Sequence, residues 1–218
     1  MVAFVIAQLL VVAPAGAAIA KLPNFTNPPK FKSDRIVEGI SVGGVKVGMR
    51  KSDAIAVWGK PDGRCRRVAP YDPNDRRRGC TYGGQSGMPF AGFTFLPTGR
   101  VTSVYLVLIK WPSGDPGLRR RYRMVAPKVR PFKTAKNIGL RSTMKAARDA
   151  YGISAPQNVP DYRAKDFLSS VIFRQGDACT VFYSFSSAPA FTYIDSISVN
   201  AAAFCPADPE PIAPPESQ

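Results

Sequence analysis

The stretch "KVGMRKSDAIAVWGKP" (46–61) reads as a strand end, a tight glycine, a short helix and a Gly-Lys-Pro stop. Ala54, Ile55, Val57 and Trp58 give the helix, spanning about 52–58, a single apolar stripe. Gly59 supplies a left-handed stop, and Pro61 prevents continuation. Two turns of helix are unstable alone in water, so the stripe needs a sheet to pack on. A looser copy, "NIGLRSTMKAARDAYG" (137–152), follows about ninety residues downstream. There Ile138-Gly139-Leu140 echoes Val47-Gly48-Met49, and Ser142 or Thr143 is placed to cap a helix. Met144, Ala147, Ala150 and Tyr151 mark its buried stripe before Gly152.

Each helix is followed by strand patterns. "CTYGG" (80–84), "FAGFTFL" (90–96) and "VTSVYLVLIKW" (101–111) are rich in β-branched and aromatic residues. Pro97-Thr98-Gly99-Arg100 turns between the last two, and the blurred alternation of Val104 to Ile109 suits a central strand. "SSVIF" (169–173), "CTVFYSF" (179–185) and "FTYIDSISV" (191–199) answer them. The expected fold class is α+β with two tandem repeats, 36–111 and 134–205. Each is a short helix, or helix pair, packed on a small antiparallel sheet.

The flanks read differently. Residues 1–20 carry no charge and end in Ala18-Ile19-Ala20, the pattern of a removed secretory signal. An uncleaved anchor is the rival reading, although Gln8, Pro14 and Gly16 sit badly in a spanning helix. Residues 21–35 form an extended lead-in, where Asn24-Phe25-Thr26 matches the glycosylation triplet. The basic Pro/Gly stretch 112–133 connects the repeats, and the Pro-rich 206–218 reads as a disordered tail.

Four cysteines fit an oxidising compartment, secreted or associated with the cell envelope. Of three connectivities, pairing within each copy is the economical one: Cys65 with Cys80, and Cys179 with Cys205. The chain has no histidine and no close-spaced cysteine pair, which argues against a metal site. The net charge is +15, from thirty Lys and Arg against fifteen acids. In an exported chain such a balance points to anionic envelope polymers, phospholipid headgroups or acidic proteins rather than nucleic acid.

Gly48-Met49, then Ile55 and Trp58 on one face, then Gly59-x-Pro61 resembles the signature of the SmpA/OmlA-like outer-membrane assembly lipoproteins. The phrase used twice in one exported chain is also similar to the β-lactamase inhibitory protein family. That resemblance implies two tandem helix-on-sheet units whose sheets form a shared binding surface. Where the family usually has Thr or Ser at the helix N-cap, this chain has Arg50, and it lacks the lipid-attachment cysteine.

The residues present restrict the chemistry. Without histidine, Ser-His-Asp and Cys-His arrangements are impossible. Most aspartates stand in turn contexts; Asp195 is the exception and suits a solvent-facing strand position. The expected protein is therefore not an enzyme and needs no cofactor. It binds a protein partner or an anionic envelope polymer, with peripheral membrane contact as a further option. The candidate surface combines basic clusters, Arg76, Arg77, Arg78 and Arg119, Arg120, Arg121, Arg123, with the aromatics Tyr82, Phe93, Tyr183 and Tyr193. Alternation divides these aromatics between an open sheet face and the core under a helix. Core packing is the rival reading of the aromatics, and a solvated face that of the bases. A secreted inhibitor of an extracellular enzyme is the alternative, and an aspartate-dependent envelope hydrolase stands behind it.

Overall fold

A computed structural model describes residues 29–62, 64–68, 75–83, 90–108, 127–153, 157–159, 168–184 and 193–206. The signal-like segment, Arg119, Arg120, Arg121 and Arg123, and the tail beyond Pro206 lie outside them.

The fold is mixed α+β with two antiparallel sheets. The smaller is a three-stranded meander of β1 (Ile36–Val37), β2 (Ser41–Val42) and β3 (Val45–Lys46). Its β2–β3 turn needs glycine at 43: φ is 57°, and a Cβ there would press on Phe31, Phe132 and Trp58. Helix α1 (Lys51–Trp58) follows, then β4 (Arg66–Arg67), β5 (Arg78–Tyr82), β6 (Ala91–Phe95) and β7 (Val101–Val107). The second half has helix α2 (Met144–Tyr151), β8 (Gln157–Val159), β9 (Leu168–Gln175), β10 (Ala178–Ser184) and β11 (Ser196–Ala201). A short 3-10 turn at Ala202–Phe204 closes the described chain.

The larger sheet runs β4-β5-β6-β7-β11-β10-β9-β8, so the two meanders meet last strand to last strand. At that seam Leu106 lies opposite Ile197 and Val104 opposite Val199. All four are buried against the helix-bearing face. The strand expected to be central is central, and its partner comes from the other half of the chain.

The two arms share local geometry. Gly48 N donates to Val101 O at 2.8 Å, and Val101 N to Met49 O at 2.9 Å. In the second arm Arg141 N donates to Ile194 O and Ile194 N to Ser142 O, both at 2.8 Å. Isolated bridges Arg50–Arg100 and Thr143–Tyr193 sit just before the helices. Each helix then ends on an aromatic that reaches two rings of its own meander. Trp58 lies edge-on to Tyr82 and Phe93 at 5.4 and 6.2 Å. Tyr151 lies against Phe173 and Phe182 at 4.5 and 5.5 Å. Gly59 and Gly152 stop the helices at positive φ, 88° and 68°.

This pairing corrects the register read from sequence. The place of Gly48 (φ 81°) is held in the second arm by Arg141 (φ 69°), not by Gly139. Gly139 is glycine for another reason: a Cβ would collide with the carbonyl oxygen of Phe132. The sequence matched two glycines that serve different purposes. The stretches taken as a lead-in and a connection also contribute to packing. Phe31 lies edge-on to Trp58 at 5.3 Å and to Phe132 at 4.6 Å, while Val129 and Phe132 are buried. Strand β8, on the far edge, was not anticipated, because Gln157-Asn158-Val159 carries almost no β-forming pattern.

Both disulfides lie within their own halves, Cys65–Cys80 and Cys179–Cys205. They suit an oxidising, extracytoplasmic setting. Their places differ: the first ties the approach to β4 to β5, the second ties β10 to the segment after β11.

On the face away from the helices, Gly92 lies opposite Tyr105, and a Cβ at 92 would collide with the phenol. Gly92→Ala should therefore destabilise the fold by about 1–3 kcal/mol, the usual range for overpacking. The same change in a Tyr105→Ala background should cost clearly less. The Cys80 carbonyl oxygen, 2.8 Å from that Cβ, accounts for the remainder. A denaturant double-mutant cycle measures the coupling, and additive penalties would refute it.

Candidate functional site

The residues put forward as a surface separate into three groups. Tyr82 and Phe93 are core: both are fully buried, and the Tyr82 hydroxyl donates to Gly59 O at 2.9 Å. Alternation places them under α1, out of reach of a partner. Burial holds the Tyr82 phenol well above its ordinary pKa, with the Asp62 charge adding to the effect. Tyr183 is half-buried beside Ile172, Cys179, Val181 and Cys205 on the opposite face. Tyr193 is 44% exposed, with the Arg141 guanidinium 4.4 Å from its ring centre.

The face turned away from the helices is not the open platform expected. Ser103, Ser196, Ser198, Asn200 and Val181 are all buried there. Tyr105 on the same face has its pKa pushed up to about 12 by desolvation. Asp195 also departs from expectation. It precedes β11 rather than lying in a solvent-facing strand position, is buried, and accepts from Arg141 Nη1 at 2.8 Å. The Arg141 side chain thus holds both Asp195 and Tyr193.

The arginines around β5 have distinct assignments. Arg77 is committed internally. Its Nε donates to Asp75 Oδ1 and Oδ2 at 2.9 and 3.0 Å, Nη2 donates to Oδ2 at 2.6 Å, and its guanidinium lies over Phe204. Those hydrogen bonds hold the Asp75 carboxyl below its usual pKa, against the opposing effect of burial. Arg76 and Arg78 are exposed, and Arg78 Nη2 donates to Cys65 O at 3.0 Å. Arg67 pairs opposite Arg78 across the ladder.

Sequence reasoning missed Arg50, Lys51 and Arg100 as site residues. Together with Ser52, Thr98 and Gly99 they line a shallow cleft of about 390 Å³. Arg50 and Arg100 are bridge partners, Lys51 N donates to Gly99 O at 2.8 Å, and Arg100 Nη1 donates to Gly48 O at 3.0 Å. Lys51 Nζ stands 5.0 Å from the centre of the Phe95 ring, and Phe95 lies opposite Arg78. Beyond the cleft, Phe95 thus stands between Lys51 and Arg78 on the helix-bearing face. Arg50 occupies the N-cap of α1, where no side chain caps the helix. That was the available signal: a base where a hydroxyl or carboxamide is preferred. Among the described residues, the salt bridges are Arg77–Asp75, Arg141–Asp195 and Lys145–Asp149, none involving Arg50, Lys51, Arg78 or Arg100. Nor do three acidic or cysteine side chains converge there on a position that could hold a metal.

No protein-family model and no curated protein matches the chain. Among solved structures the chain is similar to a DUF4309 family protein (YjgB) from Bacillus subtilis subsp. subtilis str. 168, at 15% identity. The match covers 72% of this chain and 82% of that one, with a TM-score of 0.39. The comparisons lend no support to either resemblance drawn from the sequence, and the chain is similar to this bacterial protein only distantly.

Proposed function

We propose that the chain is an exported, non-catalytic binding protein. In this reading it acts at or outside a cell envelope, built from a duplicated helix-on-sheet unit and engaging an anionic partner through basic side chains. The observation that carries this is the set of exposed bases, Arg50, Arg78 and Arg100, that have no carboxylate partner among the described residues. Duplication is supported by the matched pairing ahead of α1 and α2 and by the Trp58 and Tyr151 aromatic sets. It is the reading under which the SmpA/OmlA-like resemblance makes sense. A disulfide in each half favours export. Asp195, the aspartate that stands outside the turn contexts, is engaged by Arg141, which weighs against the hydrolase alternative.

The test is retention of the purified, oxidised protein on native cell envelopes. It should be held at about 0.1 M salt, where the screening length is ~10 Å, and released near 1 M, where it is ~3 Å. Retention that is indifferent to salt would count against an electrostatic partner.

A further inference from the structure

We infer that Arg100, Arg50, Lys51 and Arg78 form a track for a linear polyanion, and that the N-terminal arm alone carries it. This rests on the proposed reading of the chain as a binder of an anionic partner. The four bases follow one another through contacts already described: Arg100 opposite Arg50, Lys51 next in the chain and over Phe95, Phe95 opposite Arg78. Arg50 and Arg100, like charges placed opposite one another, oppose folding, a cost that a bound polyanion would relieve.

The second arm serves as an internal control. At the places of Arg50, Lys51 and Arg100 it has Thr143, Met144 and Tyr193. Thr143 Oγ1 accepts from Ala146 N at 3.0 Å, Met144 is buried, and Tyr193 lies against Arg141. The corresponding framework is thus satisfied there without bases. A free polymer fits better than a membrane. Membrane docking pairs bases with inserted apolar groups. The exposed large hydrophobics of the described surface, Val37, Ile40 and Tyr193, are not in the row. Arginine forks engage phosphate and carboxylate edges alike, so the shared chemistry is a chain of closely spaced anionic groups.

The experiment titrates the oxidised protein with sodium polyphosphate and with poly-L-glutamate, following polarisation of a labelled polymer. A row variant, Arg50→Thr with Lys51→Gln and Arg100→Tyr, is compared with a charge-matched control, Lys60→Gln with Lys128→Gln and Lys145→Gln, all exposed positions. Wild-type affinity should fall roughly fifty-fold between about 50 and 200 mM salt if four groups are neutralised, taking the single-strand salt slope. The row variant should lose at least tenfold relative to the control. If the triple change unfolds the protein, Arg100→Gln alone, which alters no residue of α1 or its cap, should still lose more than Lys60→Gln alone. Equal losses in row and control variants overturn the track while leaving the broader reading intact. Binding to neither polymer overturns the track as well, and envelope retention then judges the broader reading independently. Binding to anionic lipid vesicles but to neither free polymer assigns the row to a membrane and overturns the inference.

Discussion

Trp58→Ala should lower stability by about 3–5 kcal/mol, the range for removing a large aromatic from a packed core. The indole is fully buried, meets Phe31, Tyr82 and Phe93 edge-on, and donates Nε1–H to Gly43 O at 3.1 Å. It therefore joins the lead-in, the small sheet, α1 and the large sheet at one point. Aromatic pairs of this kind add about 0.5–1.5 kcal/mol beyond area burial. Removing the ring also leaves the Gly43 carbonyl without that donor. Tyr151→Ala, at the matching place in the second arm, should cost less, because that ring is only partly buried. Its hydroxyl does bond to Glu38 at 2.7 Å and Thr134 at 2.9 Å, so the loss should remain measurable. Denaturant midpoints of the two variants, with Trp58→Phe as a milder comparison, test the order. A Trp58→Ala protein within about 1 kcal/mol of wild type would contradict the structure.

Reduction of both disulfides should be the second large effect. In the chain-entropy view, closing the Cys65–Cys80 separation of 15 residues contributes about 3 kcal/mol. The Cys179–Cys205 separation of 26 contributes about 3.5 kcal/mol on the same basis. Domains have only about 5–15 kcal/mol in total, so a reductant should leave much of the population unfolded near physiological temperature. Losing Cys179–Cys205 alone should free the segment after β11 and loosen the Ile172, Val181 and Tyr183 cluster that packs with those cysteines. Far-UV circular dichroism melts with and without reductant decide this; superimposable melts would be the contrary result.

Much of this fold is legible in the sequence, because local rules and tertiary packing agree at most positions. The apolar stripe ending at Trp58, the glycine stops and the aromatic strands all say the same thing as the structure. What misled was reliance on residue identity where geometry was at issue. Gly139 resembles Gly48 in one letter, yet Arg141 occupies the left-handed position, held there by Asp195 and Tyr193. Composition likewise made Phe31, Val129 and Phe132 look like linker residues, since prolines and bases surround them. Of the basic track, the sequence offered Arg78 within its arginine cluster and Arg50 as an oddity at a helix start. Its neighbours Arg78 and Arg100 lie 28 and 50 residues further along and meet it only through the sheet. Tyr82 and Phe93 were misplaced because alternation says that faces differ but not which one the helix covers.

The seam between β7 and β11 has a bearing on how the molecule is made. Leu106 must wait for Ile197, some ninety residues later in synthesis, before its ladder can close. Until then the first meander is an unfinished sheet with a hydrophobic strand at its rim, the kind of edge that recruits stray partners. A chain threaded through a membrane before it folds would keep that rim extended and unpaired, and close it once its second half emerges.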